Sequence, residues 1–414
     1  MMHRYEIYFV IAAALVAAVA GTDAPPQRLR KRKDAGKKLL WPLMTMGGPN
    51  NQYLQLLESM LLAEALGRAL VAAPFLKWLN ARGRDVRAFN DTFDAAAVGR
   101  FVAVARVAEL PRAHALGAVV VHAGRGSAVK QRDLATVCAM ARARCAKQPF
   151  ARPLVDDASK RRCAKVPKPD GSYAACVAER YAHHDVVAAS LWGSIPSLYG
   201  SLAAPRTLRA VAALRRAPRV RAAAARLRRA LFGTERYVCA HLRRVEDDQR
   251  CKDGGKASFP RVACFPGTRG YASTASIAGA IRAVAAAARA PAVYVARAAP
   301  RKKSWPFARE GAALRAALNG TGAYASLDDL GDVGDDYDAS LVEQELCAGA
   351  AAFVGTADSS WTGLVAQERF AAGRCGTAFE HLLRTKKPRR RGARPADLVA
   401  GALLAPSLAA LDCA

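Results

Sequence analysis

The sequence predicts an α/β protein made of two Rossmann-like domains that face each other across a cleft. Three observations carry this expectation. Residues 39–75 read as strand, loop, helix, strand. From Tyr237 to Ala372 short apolar runs alternate with helical segments, as a parallel sheet covered on both faces requires. Between the two halves, Leu208–Leu231 is an Ala/Arg/Leu stretch that reads as a bridging helix.

Taken in order, LLWPLMTM from Leu39 is an apolar run ending at Gly47-Gly48, the pattern of a buried strand entering a tight loop. Over Asn50–Ala69, Leu54, Leu57, Leu61, Leu62, Ala65 and Leu66 share one helical face. Leu70–Phe75 is the next strand and Val119–His122 another, while Cys138–Cys176 is polar, basic and cysteine-bearing and reads as a loop-rich insertion. In the second half the strands are Tyr237–Leu242, Ala292–Ala296 and Ala351–Gly355. The helices are Ser276–Ala288, Glu310–Leu318, Leu341–Ala350 and Ser360–Ala372.

The chain's 414 residues, 52% of them hydrophobic, suffice for two cores. Its net charge of +29 suggests an anionic partner. Arg and Ala are enriched throughout, helices included, and no nucleic-acid-binding signature is present, so nucleic acid is not expected. Ile7–Ala20 is an unbroken apolar run preceded by His3 and Arg4 and followed by Gly21. Its length is short of the roughly 20 residues of a membrane span. Residues 1–21 are therefore expected to be a signal peptide, with an uncleaved signal anchor, and hence a membrane attachment, as the alternative. Residues 22–38 read as a basic stem, and 384–414 as a basic tail and C-terminal segment.

Ten cysteines without a CxxC pair disfavour zinc and, behind a signal segment, suit disulfides. Loop-like surroundings point to Cys251–Cys264 and Cys375–Cys413, but the connectivity is open. The sequons at Asn90 and Asn319 agree with a lumenal location.

Ligands of open α/β sheets sit at the carboxyl ends of the strands, so the loops after Leu242, Ala296 and Gly355 are the places to look. His241-Leu242-Arg243-Arg244 ends a strand with two guanidinium groups suited to a diphosphate. A fixed cation there stabilises the charge left on a departing nucleotide. The acidic run Glu246-Asp247-Asp248 is read first as a partner for these arginines and second as a metal motif. Gly355-Thr356-Ala357-Asp358-Ser359-Ser360 joins a strand to a helix, where hydroxyls and free amides can hold phosphate. In that segment Asp358 or Ser359 also serves as a plain N-cap. The loop Gly47-Gly48-Pro49-Asn50-Asn51-Gln52 combines glycines that admit close ligand approach with asparagines able to cap the helix.

Four blocks, in order over most of residues 40–375, resemble the GDP-fucose protein O-fucosyltransferase group: MGGPNNQYLQLLESMLLAEALGRALVAAPF, FNDTFD, YVCAHLRRVEDD and VEQELCAGAAAFVGTADSSWTGLVAQER. The resemblance implies a GT-B-like fold, with 39–210 as the acceptor-side domain and 211–383 as the nucleotide-sugar-binding domain. It implies inverting transfer from GDP-fucose to a protein Ser/Thr or glycan hydroxyl in the endoplasmic reticulum or Golgi lumen, with no metal or other cofactor. Arg243 would contact the β-phosphate and assist departure, with His241 and Arg244 beside the nucleotide. Gly355, Asp358, Ser359 and Ser360 would hold the donor, and Gly47, Gly48, Asn50 and Asn51 would line the cleft. The first loop has no carboxylate, which leaves Asp91, Asp94 and Glu246 as candidate bases. After the strand ending at Ala296, Arg297-Ala298-Ala299 stands where many members carry a Thr–acidic pair. Two alternatives remain: the same fold using another nucleotide sugar, and a non-catalytic basic protein that binds polyanions.

Overall fold

The computed structural model describes residues 38–42, 49–76, 86–107, 116–123, 155–157, 179, 182, 185–192, 205–242, 274–297, 307–319, 322–329, 331, 333–356, 360–374 and 377–380. The signal segment, most of the stem, both expected cysteine pairings and the basic tail lie outside these residues.

The first half begins with β1 (Leu39–Pro42), every residue of it buried. Helix α1 (Pro49–Ala65) follows. Periodicity carried this helix to Ala69, but it stops at Ala65 because Gly67 adopts φ 62°. The Arg68 amide then bonds back to Ala63 O at 2.9 Å, closing a glycine C-cap. Ala69 instead opens β2 (Ala69–Val71). The expected strand Leu70–Phe75 is interrupted before Pro74. Its end forms β3 (Phe75–Leu76), which pairs antiparallel with β4 (Val86–Arg87). Short helices α2 (Phe89–Thr92) and α3 (Ala95–Gly99) lead to β5 (Val104–Ala105). Next come β6 (Leu116–Ala123), β7 (Val155–Asp157) and β8 (Val186–Trp192). β7 lies inside the stretch read as an insertion, and β8 lies in the stretch the sequence left unread. The described strands form a parallel sheet in the order β5-β2-β1-β8-β6-β7.

The expected bridging helix is two helices, α4 (Pro205–Ala213) and α5 (Pro218–Phe232). Pro218 opens α5 at a position where its missing N–H costs nothing, and its ring cannot continue the preceding turn. The break at Leu214–Ala217 turns Arg216 inward to 2% exposure.

The second half contains β9 (Tyr237–Leu242), α6 (Thr274–Ala287), β10 (Ala292–Arg297), α7 (Phe307–Leu318) and β11 (Tyr324–Ser326). It continues with α8 (Asp336–Gly349), β12 (Ala352–Thr356), α9 (Ser360–Ala371) and β13 (Thr377–Glu380). Helix α8 starts five residues ahead of the apolar pattern because Asp335 caps it, accepting from Tyr337 N and Asp338 N at 3.1 Å. The sheet order is β11-β10-β9-β12-β13, all parallel. Helices α6 and α7 cover one face of this sheet in a separate apolar cluster. The other face joins α8, α9, α5, α4, α1 and the first sheet in one continuous core. Two parallel sheets flanked by helices are the α/β class the sequence predicted.

Candidate active site at the reversal of strand order

Counted from β9, the second sheet runs outward to β10 and β11 on one side and to β12 and β13 on the other. The order reverses between β9 and β12, where such sheets open a crevice for ligand. At that point His241 and Gly355 are register partners. The two segments singled out by the sequence, 114 residues apart by number, thus end side by side.

The start of α9 is held over these strand ends by specific contacts. His241 is buried, its ring stacked on Trp361 at 4.1 Å and 15°. Its Nδ1 lies 2.8 Å from Thr362 Oγ1. Trp361 in turn donates from Nε1 to Ser340 Oγ of α8 at 3.1 Å. Gly355 is required by close approach. A Cβ there would overlap the Thr362 methyl and stand 3.0 Å from the Phe353 ring. Helix α9 therefore begins at Ser360 with its leading amides, which have no partner within the helix, beside the ends of β9 and β12.

Of the expected site residues, the structure brings together His241, Gly355 and the backbone of Ser360. Arg243, Arg244, Asp358, Ser359, Gly47 and Gly48 lie outside the described residues, as does Glu246. Arg297 ends β10 opposite Leu242. Asn50 and Asn51 stand in the first turn of α1, and Asn50 Oδ1 accepts from Gln344 Nε2 of α8 at 2.6 Å. The carboxylate of Asp94 is engaged structurally. Its Oδ1 caps α3 through Ala96 N and Ala97 N, and its Oδ2 pairs with Arg221 at 3.1 Å. The carbonyl of Asp91 accepts from Arg219 at 2.9 Å.

Sequence reasoning missed the groups that brace this region. Arg369, fully buried, donates to the carbonyls of Cys347, Ala348, Ala350 and Ala351, taking up the free carbonyls at the end of α8. Burial pulls its pKa down to about 10, with Arg374 adding to the shift, so it is charged at neutral pH. Tyr294 Oη donates to Glu343 at 2.9 Å and Tyr237 Oη to Leu346 O at 2.6 Å, both tying the sheet to α8. Cys239 and Cys347 form a disulfide between β9 and α8, a pairing the sequence did not single out. Among the described residues, no group of three or more His, Cys, Asp or Glu side chains is arranged to hold a metal ion. Nor is any described helix long and apolar enough to cross a membrane.

The family model for GDP-fucose protein O-fucosyltransferase matches residues 43–371. A crystal structure of POFUT1 with GDP superposes with a TM-score of 0.56 at 16% identity, covering 84% of this chain and 99% of that one. For POFUT1 with GDP-fucose the TM-score is 0.57 at 17% identity, over 84% and 99% of the respective chains. A variant of Arabidopsis thaliana FUT1 with GDP gives a TM-score of 0.43 at 10% identity, over 84% and 71%. No curated protein matches the sequence. The likeness to POFUT1 is one of fold, and it is the GT-B-like arrangement of two Rossmann-like domains facing a cleft.

Proposed function

The chain belongs to the GDP-fucose protein O-fucosyltransferase family, and we propose that it transfers fucose from GDP-fucose to a protein Ser/Thr or glycan hydroxyl, with inversion at the sugar. The observation that carries this reading is the meeting of His241, Gly355 and the start of α9 at the reversal of strand order. The POFUT1 structures, which share the fold, hold GDP and GDP-fucose.

Departure of GDP concentrates negative charge on the β-phosphate. In this reading Arg243, one residue beyond β9, meets that charge with its guanidinium fork. The amides opening α9, with Ser359 and Ser360, hold the phosphates, and Arg244 and Asp358 complete the donor site. Charge neutralisation is assigned to these groups rather than to a metal ion. The His241 ring, stacked on Trp361 and within 2.8 Å of Thr362 Oγ1, ties the end of β9 to the start of α9. Gly47, Gly48, Asn50 and Asn51 line the acceptor side. The division into an acceptor half ending near residue 210 and a donor half ending near 383 belongs to the same reading. So does a lumenal location in the endoplasmic reticulum or Golgi, which the Cys239–Cys347 disulfide supports.

The test is a thermal-shift series with GDP, UDP and ADP on the purified protein, followed by GDP-fucose turnover in wild type and Arg243→Ala. Expected are stabilisation by GDP alone and a loss of turnover of at least about 10²-fold in the variant, with its circular dichroism unchanged. Stabilisation by UDP alone would assign a different nucleotide sugar. Polyanion binding without any nucleotide effect would make the protein a non-catalytic binder.

A further inference from the structure

A buried polar chain runs from the break between α4 and α5 to the first turn of α1. Arg216 donates from Nη1 to Glu368 Oε2 of α9 at 2.7 Å and to Glu345 Oε2 of α8 at 3.4 Å. Its Nη2 donates to Gln344 Oε1 at 2.7 Å. Gln344 then donates from Nε2 to Asn50 Oδ1 at 2.6 Å. One turn further along α1, buried Tyr53 completes the group. Its hydroxyl faces the Glu368 carboxylate, and its pKa is raised first by burial and next by the charge of Glu368.

The polarity of this chain has one direction. A guanidinium only donates, so it takes the oxygen end of the Gln344 carboxamide and leaves the NH2 end for Asn50. That NH2 can bond only to the Asn50 oxygen, so the Asn50 amide presents its oxygen, not its NH2, to Gln344. Arg216 is itself pinned from its backbone. It forms a β-bridge with Phe93, and Asp94 N donates to Arg215 O at 2.9 Å. Burial works against its charge, but Glu368 and Glu345 outweigh burial and hold its pKa above the ordinary guanidinium range.

We propose that Arg216, acting through Gln344, is a positioning residue that fixes the orientation of the Asn50 carboxamide and the first turn of α1 at the acceptor side of the site. Glu368 and Glu345 take the Nη1 donor of Arg216, and Gln344 takes its Nη2 and carries the chain on to Asn50. The proposal rests on the functional reading above for its catalytic consequence, but not for its structural one.

The test variant is Gln344→Glu. Its carboxylate still accepts from Arg216 but has no proton to donate to Asn50, so the amide must reverse. Expected is a fall in kcat for GDP-fucose hydrolysis of about tenfold, with the Kd for GDP within about twofold of wild type. Asn50→Ala should add little to this variant, because both act on one group. An unchanged kcat overturns the proposal. So does a fall in kcat accompanied by equal losses in GDP affinity and melting temperature, which marks a structural role. If the wild type neither binds GDP nor turns over GDP-fucose, the functional reading fails, and hydrogen exchange of ligand-free protein decides the positioning claim. Faster exchange over 49–57 in Gln344→Glu supports it, and unchanged exchange overturns it.

Discussion

Gly355 of β12 and Thr362 of α9 pack backbone against methyl, with no room for a Cβ on the glycine. The same threonine holds His241 through its hydroxyl. One small residue thus sets how closely the helix start approaches the strand ends. Gly355→Ala must displace Thr362 or the Phe353 ring. Overpacking of this kind costs about 1–3 kcal/mol. The larger effect is expected on nucleotide affinity, since the displaced element is the start of α9. Isothermal titration with GDP, alongside chemical unfolding, separates the two. GDP affinity equal to wild type would mean that the helix start does not contact the nucleotide.

Arg216 offers a sharper stability contrast. It is buried among Glu368, Glu345 and Gln344. Burial pushes the Glu368 carboxyl up, and the Arg216 guanidinium opposes that shift. Removing the arginine leaves the carboxylate unpaired, so Arg216→Met should cost about 3–5 kcal/mol. The double variant Arg216→Met with Glu368→Gln should recover part of this loss, because the orphaned charge is gone. Urea unfolding of both variants checks the order.

The Cys239–Cys347 disulfide closes a sequence separation of 108 residues between the central strand and α8. Closing loops of this size restricts the unfolded chain, and losing such a bond typically costs about 2–5 kcal/mol. Reduction, or Cys239→Ser with Cys347→Ser, should lower the free energy of unfolding by that amount. Because Tyr237 and Tyr294 also bind β9 and β10 to α8, the far-UV spectrum at 20 °C should be retained.

Alkaline pH should weaken the fold through Tyr237. Burial raises its pKa from 10.0 to about 12. The folded protein therefore keeps a proton that the unfolded chain releases between these values. Stability from this group is complete below pH 10 and is lost as pH rises through about 12. The full effect is about 2–3 kcal/mol. Tyr237→Phe should flatten that limb of the stability curve, at the cost of about 1 kcal/mol at neutral pH from the lost bond to Leu346 O. Stability measured at pH 8 and pH 11 in both proteins tests the sign.

Much of this architecture was legible in local pattern. In the second half the four helices and the strands β9, β10 and β12 were read from short apolar runs and helical segments, while the short edge strands β11 and β13 were not. The first half was read poorly for two reasons. Gly67 and Pro74 redraw the boundaries of α1 and β2 by backbone geometry, which outranks apolar periodicity. Pro218 divides what composition presents as one Ala/Arg helix.

His241 and Gly355 were legible as candidates because each stands one residue before the end of its strand, a position that local sequence reveals. Arg216, Gln344, Glu368 and Arg369 were not, since in an Arg-rich chain nothing local marks one arginine as buried. Sequence alone determined the α/β class and marked the ends of β9 and β12 as places to look for a site, because strand, turn and cap signals act over a few residues. Only the tertiary structure decided that β9 lies beside β12, that Cys239 meets Cys347, and that Arg216 reaches Asn50 through Gln344. Those relations join groups more than a hundred positions apart, and they are set by how two sheets and the helices between them exclude water together.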